Sequence, residues 1–204
     1  MDDESENFRE GLWQHNQEFT DFTFICGAVQ FPVHKVIVCS QSKVFHAACT
    51  GPFKESSTNE FDLSESSVDH VTWLIDFLYK GAYGVESSKD STLADHIYMF
   101  AMGDMYGIEP LAQYAAEQFR TGIYDTLNLQ DILALIPKVY NSPPEHRQEL
   151  RKQVVEFVKS PFHRNKEEID AREWYDDMAE QCPDFIKDLL LSFFDRRRVW
   201  LNDE

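Results

Sequence analysis

The sequence predicts an α+β unit over about the first 120 residues, followed by an all-helical extension. Short runs of alternating apolar residues occur around residues 22–33 and again at 60–65, and alternation with a period of two is typical of half-buried strands. Elsewhere the apolar residues mostly recur every three or four positions, which is the period of amphipathic helices. Because the strand-like runs all lie in the first third of the chain, the C-terminal part is predicted to be helical.

The N-terminal end is predicted to be a short tail followed by a helix. Residues 1–7 are polar and acidic, which predicts a disordered tail. Phe8, Leu12, Trp13 and Phe19 then recur at roughly helical spacing. This spacing predicts a short amphipathic helix near residues 8–17.

The stretch DFTFICGAVQFPVHK predicts a β-hairpin. Apolar residues alternate with others over 22–26 and again over 29–33, and Gly27 and Ala28 lie between the two runs as a turn. Pro32 has no backbone N–H to donate, so the second strand is expected at the edge of the sheet.

The next segment predicts two short helices and a strand. The run KVIVCSQ is long enough for one or two buried helical turns. Ser42 is placed to cap a helix over 43–50 and Gly51 to end it. The run EFDLSE alternates and predicts a short strand. The buried face of the helix over 43–50 is predicted to comprise Val44, Phe45, Ala48 and Cys49.

Two longer helical patterns follow. Ser66 is predicted to cap the first, because an acidic residue stands three positions later, and Gly81 to end it. Gly103 and Gly107 bracket a predicted turn, and Pro110 suits the first turn of the next helix. The buried face of the first of these helices is predicted to comprise Val68, Val71, Leu74, Ile75 and Leu78.

The extension is predicted from four further patterns. LNLQDILALIPKVYN indicates a helix that bends or ends near Pro137. HRQELRKQVVEFVKS is amphipathic, and REWYDDMAE and PDFIKDLLLSFFDRRRVW indicate two more helices.

The charge of the chain argues against nucleic-acid partners, and its apolar runs are too short to predict a membrane span. With 36 acidic and 19 basic residues the formal net charge is −17, and an acidic surface repels phosphate backbones. The basic run Arg196–Arg198 is interpreted as a helix end that suits the helix dipole. No apolar run approaches membrane length and no signal peptide opens the sequence, so a cytoplasmic or nuclear protein is expected.

Neither catalysis nor cofactor binding is expected. The sequence lacks GxSxG, HExxH, P-loop and GxGxxG motifs, and its cysteines have no zinc-like spacing to one another or to histidine. Cys26, Cys39 and Cys49 are interpreted as small buried hydrophobic residues. His34 and His46 lie near these cysteines in the sequence, which keeps a Cys–His enzyme as a remote alternative.

Several stretches together resemble the core of the BTB/POZ family. They are DFTFICGAVQFPVHKVIVCSQSKVFHAACTGPFKES, LIDFLYKGAYG and MFAMGDMYGIEPL, and the resemblance covers roughly residues 15–120. The segments VCSQS and ALIPKVYNS are similar in texture to the fungal branch of the family. The positions that match structural positions of the family are Asp21, His34, Lys35, Ser42, Phe45 and Gly81.

The resemblance implies a fold and a class of function. The fold is a helix cluster flanked by a short mixed β-sheet, here a BTB/POZ-like domain over 8–121, with the helical extension over 122–204. Members are non-enzymatic protein–protein interaction modules. Many dimerise, and many dock a cullin scaffold as substrate adaptors of a ubiquitin ligase.

In such adaptors the scaffold contact includes a hydrophobic-x-Glu motif directly after a helix, and Phe53-Lys54-Glu55 occupies that place here. Phe53 would then enter a pocket on the cullin, and Glu55 would orient the loop or meet a polar partner. The alternative is that Phe53 folds back onto its own helix as a hydrophobic clasp.

A second function remains open, which is a homo- or hetero-oligomerisation module in transcription regulation or scaffolding, without cullin binding. Residues 1–7 show no strand alternation, so a homodimer is expected to form without strand exchange. Its interface would then comprise Phe8, Leu12 and Trp13.

Overall fold

The computed structural model describes residues 18–84, 92–125, 129–140, 148–160 and 171–200. The tail predicted over 1–7 and the helix predicted near 8–17 lie outside these residues. The described strands are β1 (Phe22–Cys26), β2 (Val29–Val33) and β3 (Glu60–Asp62). The described helices are α1 (Lys35–Gln41), α2 (Lys43–Thr50), α3 (Lys54–Thr58), α4 (Val68–Lys80), α5 (Leu93–Met105), α6 (Glu109–Asp125), α7 (Leu129–Tyr140), α8 (Gln148–Lys159), α9 (Ala171–Gln181) and α10 (Pro183–Trp200).

The three strands form one mixed sheet in the order β2-β1-β3. β1 pairs antiparallel with β2 and parallel with β3, so Phe24 lies opposite Phe31 on one side and opposite Phe61 on the other. Gly27 has a φ of +59° in the turn of the hairpin, a conformation that favours glycine. The predicted hairpin is confirmed, with Pro32 on the edge strand. The α+β fold class, with a short mixed sheet beside the helices, is confirmed as well.

The two short helices after the hairpin form as predicted, but one buried residue was predicted wrongly. The Ser42 hydroxyl accepts a hydrogen bond from the Phe45 N–H (3.0 Å) and donates one to the Tyr106 carbonyl (2.6 Å), which ties the start of α2 to the end of α5. Phe45, Ala48 and Cys49 are buried. Val44 is 38% exposed, because it lies on the side of α2 that borders an open groove.

Helix α4 is buried around most of its circumference. Trp73 and Ile75 are both buried although residues two positions apart point to nearly opposite sides of a helix. The cap was predicted one residue early, because Ser67 and not Ser66 accepts the hydrogen bond from the His70 N–H (3.2 Å). Val68 lies in the first turn and is exposed, contrary to the prediction. Gly81 ends the helix with a φ of +75°.

Gly103 lies inside α5, so the prediction that it borders a turn was wrong. The turn contains Gly107, with a φ of +64°, and Pro110 stands in the first turn of α6 as predicted. A β-carbon on Gly103 would lie 2.6 Å from the Ala112 nitrogen. The glycine therefore serves the close packing of α5 against α6, which the sequence could not distinguish from a turn.

The chain falls into two compact units, which divide between Ala115 and Ala116. In the second unit α10 packs against α7, α8 and α9, and Phe157 and Phe185 are fully buried. Helix α7 continues to Tyr140 with Pro137 in its last turn. The predicted domain limits, 8–121 and 122–204, remain predictions.

Candidate protein-docking site

The loop after α2 is held in place by local backbone hydrogen bonds. Gly51 ends α2, and its N–H donates to the Ala47 carbonyl (2.7 Å). Phe53 then stands at the N-cap of α3, and its carbonyl accepts from both the N–H (3.2 Å) and the hydroxyl (2.8 Å) of Ser56. Asn59 ends α3 with a φ of +58°. These bonds position the backbone of Phe53 without help from a partner.

The aromatic ring of Phe53 partly covers Gly51 and partly faces solvent. A β-carbon on Gly51 would lie 2.8 and 2.9 Å from two carbons of the ring, so the ring lies directly against the glycine. Even so, Phe53 is 55% exposed. The ring therefore makes the contact expected of a clasp and still offers more than half of its surface to a partner.

Phe53 borders a groove of about 420 Å³ on the surface of the first unit. We name it the docking groove. Apolar side chains from α2, from the loop and from β3 form most of its walls, with one cation and one carboxylate among them. The residues that line it are Lys43, Val44, Ala47, Ala48, Phe53, Glu55 and Phe61.

The charges of the docking groove stand on two different elements. Lys43 begins α2 and is exposed, and Glu55 lies in the first turn of α3 and is half-buried. A carboxylate in the first helical turn is favoured by the helix dipole. The groove can thus accept an apolar side chain, with side chains of opposite charge among the residues beside it.

A hydrogen-bond chain at the start of α1 involves three of the other predicted positions. The Lys35 N–H donates to Oδ1 of Asp21 (2.7 Å). The backbone N–H of His34 donates to the Tyr79 hydroxyl (2.9 Å), and the His34 ring contacts the same hydroxyl through Nδ1 (2.7 Å) and the Glu18 carbonyl through Nε2 (2.8 Å). The chain links the segment before β1 to α1 and α4.

The proton positions in this chain follow from its acceptors. The Glu18 carbonyl can only accept, so Nε2 of His34 carries the proton, and Nδ1 accepts from the Tyr79 hydroxyl. Burial raises the pKa of Tyr79 to about 12, although its bond from the His34 backbone acts in the opposite direction. The hydroxyl therefore stays protonated and can donate at neutral pH.

Replacing Tyr79 by phenylalanine is expected to lower the free energy of unfolding by about 1–3 kcal/mol, because the buried His34 N–H and Nδ1 lose their partner. Urea unfolding followed by circular dichroism measures this. Tyr124→Phe is the matched control, since Tyr124 is exposed and its loss should change stability by less than about 0.5 kcal/mol. Equal stability of the two variants would show that the hydrogen-bond chain contributes nothing.

Of the remaining predicted positions, three lie in the described part of the first unit and three lie outside the described residues. Ser42 and Phe45 are buried at the start of α2, and Gly81 ends α4. Phe8, Leu12 and Trp13, predicted as the dimer interface, lie outside the described residues.

The Cys–His alternative finds no support in the surroundings of Cys39. Burial, with Cys49 beside it, raises the pKa of the Cys39 thiol, and its sulfur lies 3.7 Å from the Phe45 carbonyl. A thiol that stays protonated is a poor nucleophile. The four cysteines are free, and among the described residues no group of three or more His, Cys, Asp and Glu side chains could hold a metal ion.

Sequence reasoning found Phe53 and Glu55 but missed the rest of the docking groove. Val44, Ala47 and Ala48 stand at positions three and four apart on α2, a spacing that places side chains on one side of a helix. This spacing could have predicted an apolar side of α2 next to Phe53. The contribution of Phe61 could not have been found this way, because it depends on the parallel pairing of β3 with β1.

No helix in the part of the chain that the structure describes is long and apolar enough to cross a membrane.

Sequence comparisons with known proteins find BTB/POZ domain-containing proteins. Human BTB/POZ domain-containing protein 9 is 26% identical over 117 residues, which are 57% of this chain and 18% of that protein. The bovine protein of the same name matches to the same extent, so the chain spans less than a fifth of the length of these relatives. A BTB/POZ domain-containing protein of Arabidopsis thaliana is 22% identical over 198 residues, 95% of this chain and 74% of that protein.

Among solved structures, the BTB domain of zebrafish PATZ1 is similar with a TM-score of 0.43 and 18% identity, over 58% of this chain and 90% of that one. The profile of the BTB/POZ domain matches residues 11–122, more than half of the chain. BTB domains are protein–protein interaction modules that are typically non-catalytic. On the strength of this match, the chain belongs to the BTB/POZ domain family.

Proposed function

We propose that the protein is a substrate adaptor of a cullin-based ubiquitin ligase and that the docking groove is where the cullin binds. Phe53 would insert into a pocket of the cullin, and one apolar side chain of the cullin would enter the groove beside it. Glu55 would meet a basic or amide group at the edge. The single observation that carries the proposal is the exposure of Phe53, which is 55% at the border of an apolar groove.

The size and composition of the groove support this function. A volume of about 420 Å³ is enough for one large side chain and its neighbours. Removing an aromatic side chain from water contributes about 2–3 kcal/mol, which is the range of an interface hot spot. The loop is already held by its own hydrogen bonds, so binding would cost little ordering entropy.

The test is a calorimetric titration of the full chain against the N-terminal domain of a BTB-binding cullin from the same organism. Phe53→Ala and Glu55→Lys are each expected to weaken binding at least tenfold, or about 1.4 kcal/mol. Val68→Ala and Glu65→Lys are the matched controls, because both residues are exposed and lie outside the groove. The controls are expected to bind like the unchanged protein.

Absence of binding by a folded protein would overturn the adaptor proposal and leave Phe53 as a clasp over Gly51. Light scattering on the free protein then bears on the second function, homo- or hetero-oligomerisation in transcription regulation or scaffolding. Phe19, which is 87% exposed, is a further apolar side chain of the first unit that a partner could cover. A mass above that of one chain would favour this function, with Phe8, Leu12 and Trp13 as the proposed contact.

We expect either function in the cytoplasm or the nucleus and without an enzymatic step, nucleic acid or a membrane, because of the acidic charge, the missing catalytic motifs and the short apolar runs of the sequence. A fungal source rests on the segments VCSQS and ALIPKVYNS and remains a prediction.

A further inference from the structure

The second unit contains a pocket of about 420 Å³ between α8 and α10. We name it the cationic pocket, since two basic side chains of α8 line it. It combines these cations with an apolar wall and with polar groups of α10. The residues that line it are Gln148, Arg151, Lys152, Val155, Asp188, Leu191 and Ser192.

Arg151 is fixed in position but has no anionic partner among the described residues. Its guanidinium lies over the Tyr140 ring, 4.4 Å from the centroid, and Nη2 donates to the Tyr140 carbonyl (3.1 Å). Its Nε is shut off from solvent and has no hydrogen-bond partner. A partly buried cation held by neutral groups alone would be stabilised by an incoming carboxylate.

Lys152 adds a second positive charge beside Arg151. It is exposed and makes no hydrogen bond or ion pair within the described residues. Residues 141–204 contain 11 of the chain's 19 Lys and Arg but also 15 of its 36 Asp and Glu, so this part of the chain is itself net acidic. The residues that line the pocket include two cations and one carboxylate, so the pocket alone carries a net positive charge, which favours an acidic ligand.

Asp188 restricts the kind of anion that fits. Its Oδ2 accepts a hydrogen bond from the Tyr140 hydroxyl (3.0 Å). Burial and then the charge of Asp188 raise the pKa of Tyr140, so the tyrosine remains a donor. The Asp188 carboxylate repels any incoming anion, and it repels a phosphate dianion about twice as strongly as a singly charged carboxylate at the same distance. A peptide suits it better, because the free lone pairs of the carboxylate can accept a backbone N–H.

The apolar side of the pocket continues onto the exposed surface of α10. Leu191 lines the pocket and is 51% exposed. Leu190, Phe193 and Phe194 of the same helix are also exposed. Lys159 reaches this surface from α8, where Nζ donates to the Ser192 carbonyl (2.9 Å) and lies 5.2 Å from the centre of the Phe193 ring. Leucine and valine beside two cations can bind an apolar side chain next to an acidic one.

We propose that the cationic pocket binds an extended segment of a partner protein in which an acidic side chain adjoins a large aliphatic one. The carboxylate pairs with Arg151 and Lys152, the aliphatic side chain packs on Val155 and Leu191, and a backbone N–H of the segment donates to Asp188. This site lies in the second unit and stands whether or not the docking groove binds a cullin. In an adaptor it would be the place that reads the substrate.

The test uses the full chain labelled with ¹⁵N and the capped peptide acetyl-SEELLES-amide. Titration is expected to give saturable chemical-shift changes in the amides of residues 148–159 and 186–194. The charge-reversed peptide acetyl-SKKLLKS-amide and the peptide acetyl-SEESSES-amide, which lacks leucine, are each expected to bind at least tenfold more weakly. Sodium acetate at the same concentration is expected to give no saturable change, which distinguishes a peptide site from a site for any carboxylate.

Three variants test the site directly. Lys152→Glu is expected to weaken peptide binding at least tenfold, and its matched control Lys187→Glu, an exposed residue of α10 outside the pocket, is expected to change it less than twofold. Phe53→Ala should leave peptide binding unchanged, so that failure of this site and failure of the docking groove remain distinguishable. Shifts outside the two named segments, equal effects of both lysine variants, or equal binding by the charge-reversed peptide would overturn the proposal.

Discussion

Phe45→Ala is expected to lower the free energy of unfolding by about 3–5 kcal/mol, the range for removing a buried aromatic ring and leaving a cavity. Phe45 is fully buried, and its ring stands at the meeting point of several elements. It stacks on Tyr106 at 5.0 Å with an interplanar angle of 23°. It also lies 4.9 Å from the ring of Phe24 and 5.1 Å from that of Phe61, measured between centroids.

The cavity left by this change cannot close easily, because its walls belong to different elements. Phe24 is held in β1 and Phe61 in β3 by the sheet, and the Tyr106 carbonyl is held by the Ser42 hydroxyl. Urea unfolding of the full chain, followed by both fluorescence and circular dichroism, measures the loss.

Two further variants make this prediction specific. Phe45→Leu keeps most of the apolar volume and should therefore lower the free energy of unfolding by less than Phe45→Ala does. The loss that remains includes about 0.5–1.5 kcal/mol of aromatic pairing. Phe53→Ala removes the same ring from a position that is 55% exposed, and should cost less than about 1 kcal/mol. If Phe45→Ala lowered the free energy of unfolding no more than Phe53→Ala does, the expected packing around Phe45 would be contradicted.

Gly103→Val is expected to destabilise the first unit by more than about 3 kcal/mol, at the upper end of the range for overpacking. The β-carbon would lie 2.6 Å from the nitrogen, 3.0 Å from Cα and 3.1 Å from Cβ of Ala112. The nearest atom belongs to the backbone of α6, so no side-chain rotation can relieve the contact. The two helices must move apart, and they carry buried residues such as Phe100 and Leu111.

The sign of this effect separates packing from helix propensity. Glycine inside a helix is about 1 kcal/mol less favourable than alanine, so propensity alone predicts that Gly103→Ala stabilises the protein. The contact with Ala112 predicts destabilisation for alanine and a larger one for valine. Ala134→Val is the matched control, because Ala134 is exposed on α7 and the change should cost less than about 0.7 kcal/mol. Urea unfolding and thermal unfolding of the full chain measure these changes. A higher free energy of unfolding for Gly103→Ala than for the unchanged protein would rule out the close helix contact.

Local sequence signals were sufficient to predict turns, edge strands and helix ends wherever the local backbone conformation suits one residue type. Gly27 and Gly81 have positive φ, Pro32 stands on an edge strand, and Ser42 caps α2. In each case the chemistry of one residue, namely the missing β-carbon, the missing N–H or the hydroxyl, acts on its own neighbours in the chain.

The errors came where two patterns were equally compatible with the sequence. Ser66 and Ser67 can both cap a helix, and the choice between them depends on partners far along the chain, since the Ser66 hydroxyl accepts from Tyr98 and its carbonyl accepts from Cys26. Gly103 fits both a turn and a close helix crossing. Val44 fits a buried face, but it lies at the docking groove instead.

The sequence by itself determined the α+β class, the family, and the order of the described strands and helices other than α3, because these depend on periodicity and on short motifs. Helix α3, over Lys54–Thr58, was not predicted. It also placed Phe53 and Glu55 after α2. Only the tertiary structure decided which side of α2 is open and that Phe61 borders the groove, since those facts depend on the parallel β1–β3 pairing. The cationic pocket likewise exists only where α8 and α10 meet, because a binding surface is made by residues that are distant in the chain and adjacent in space.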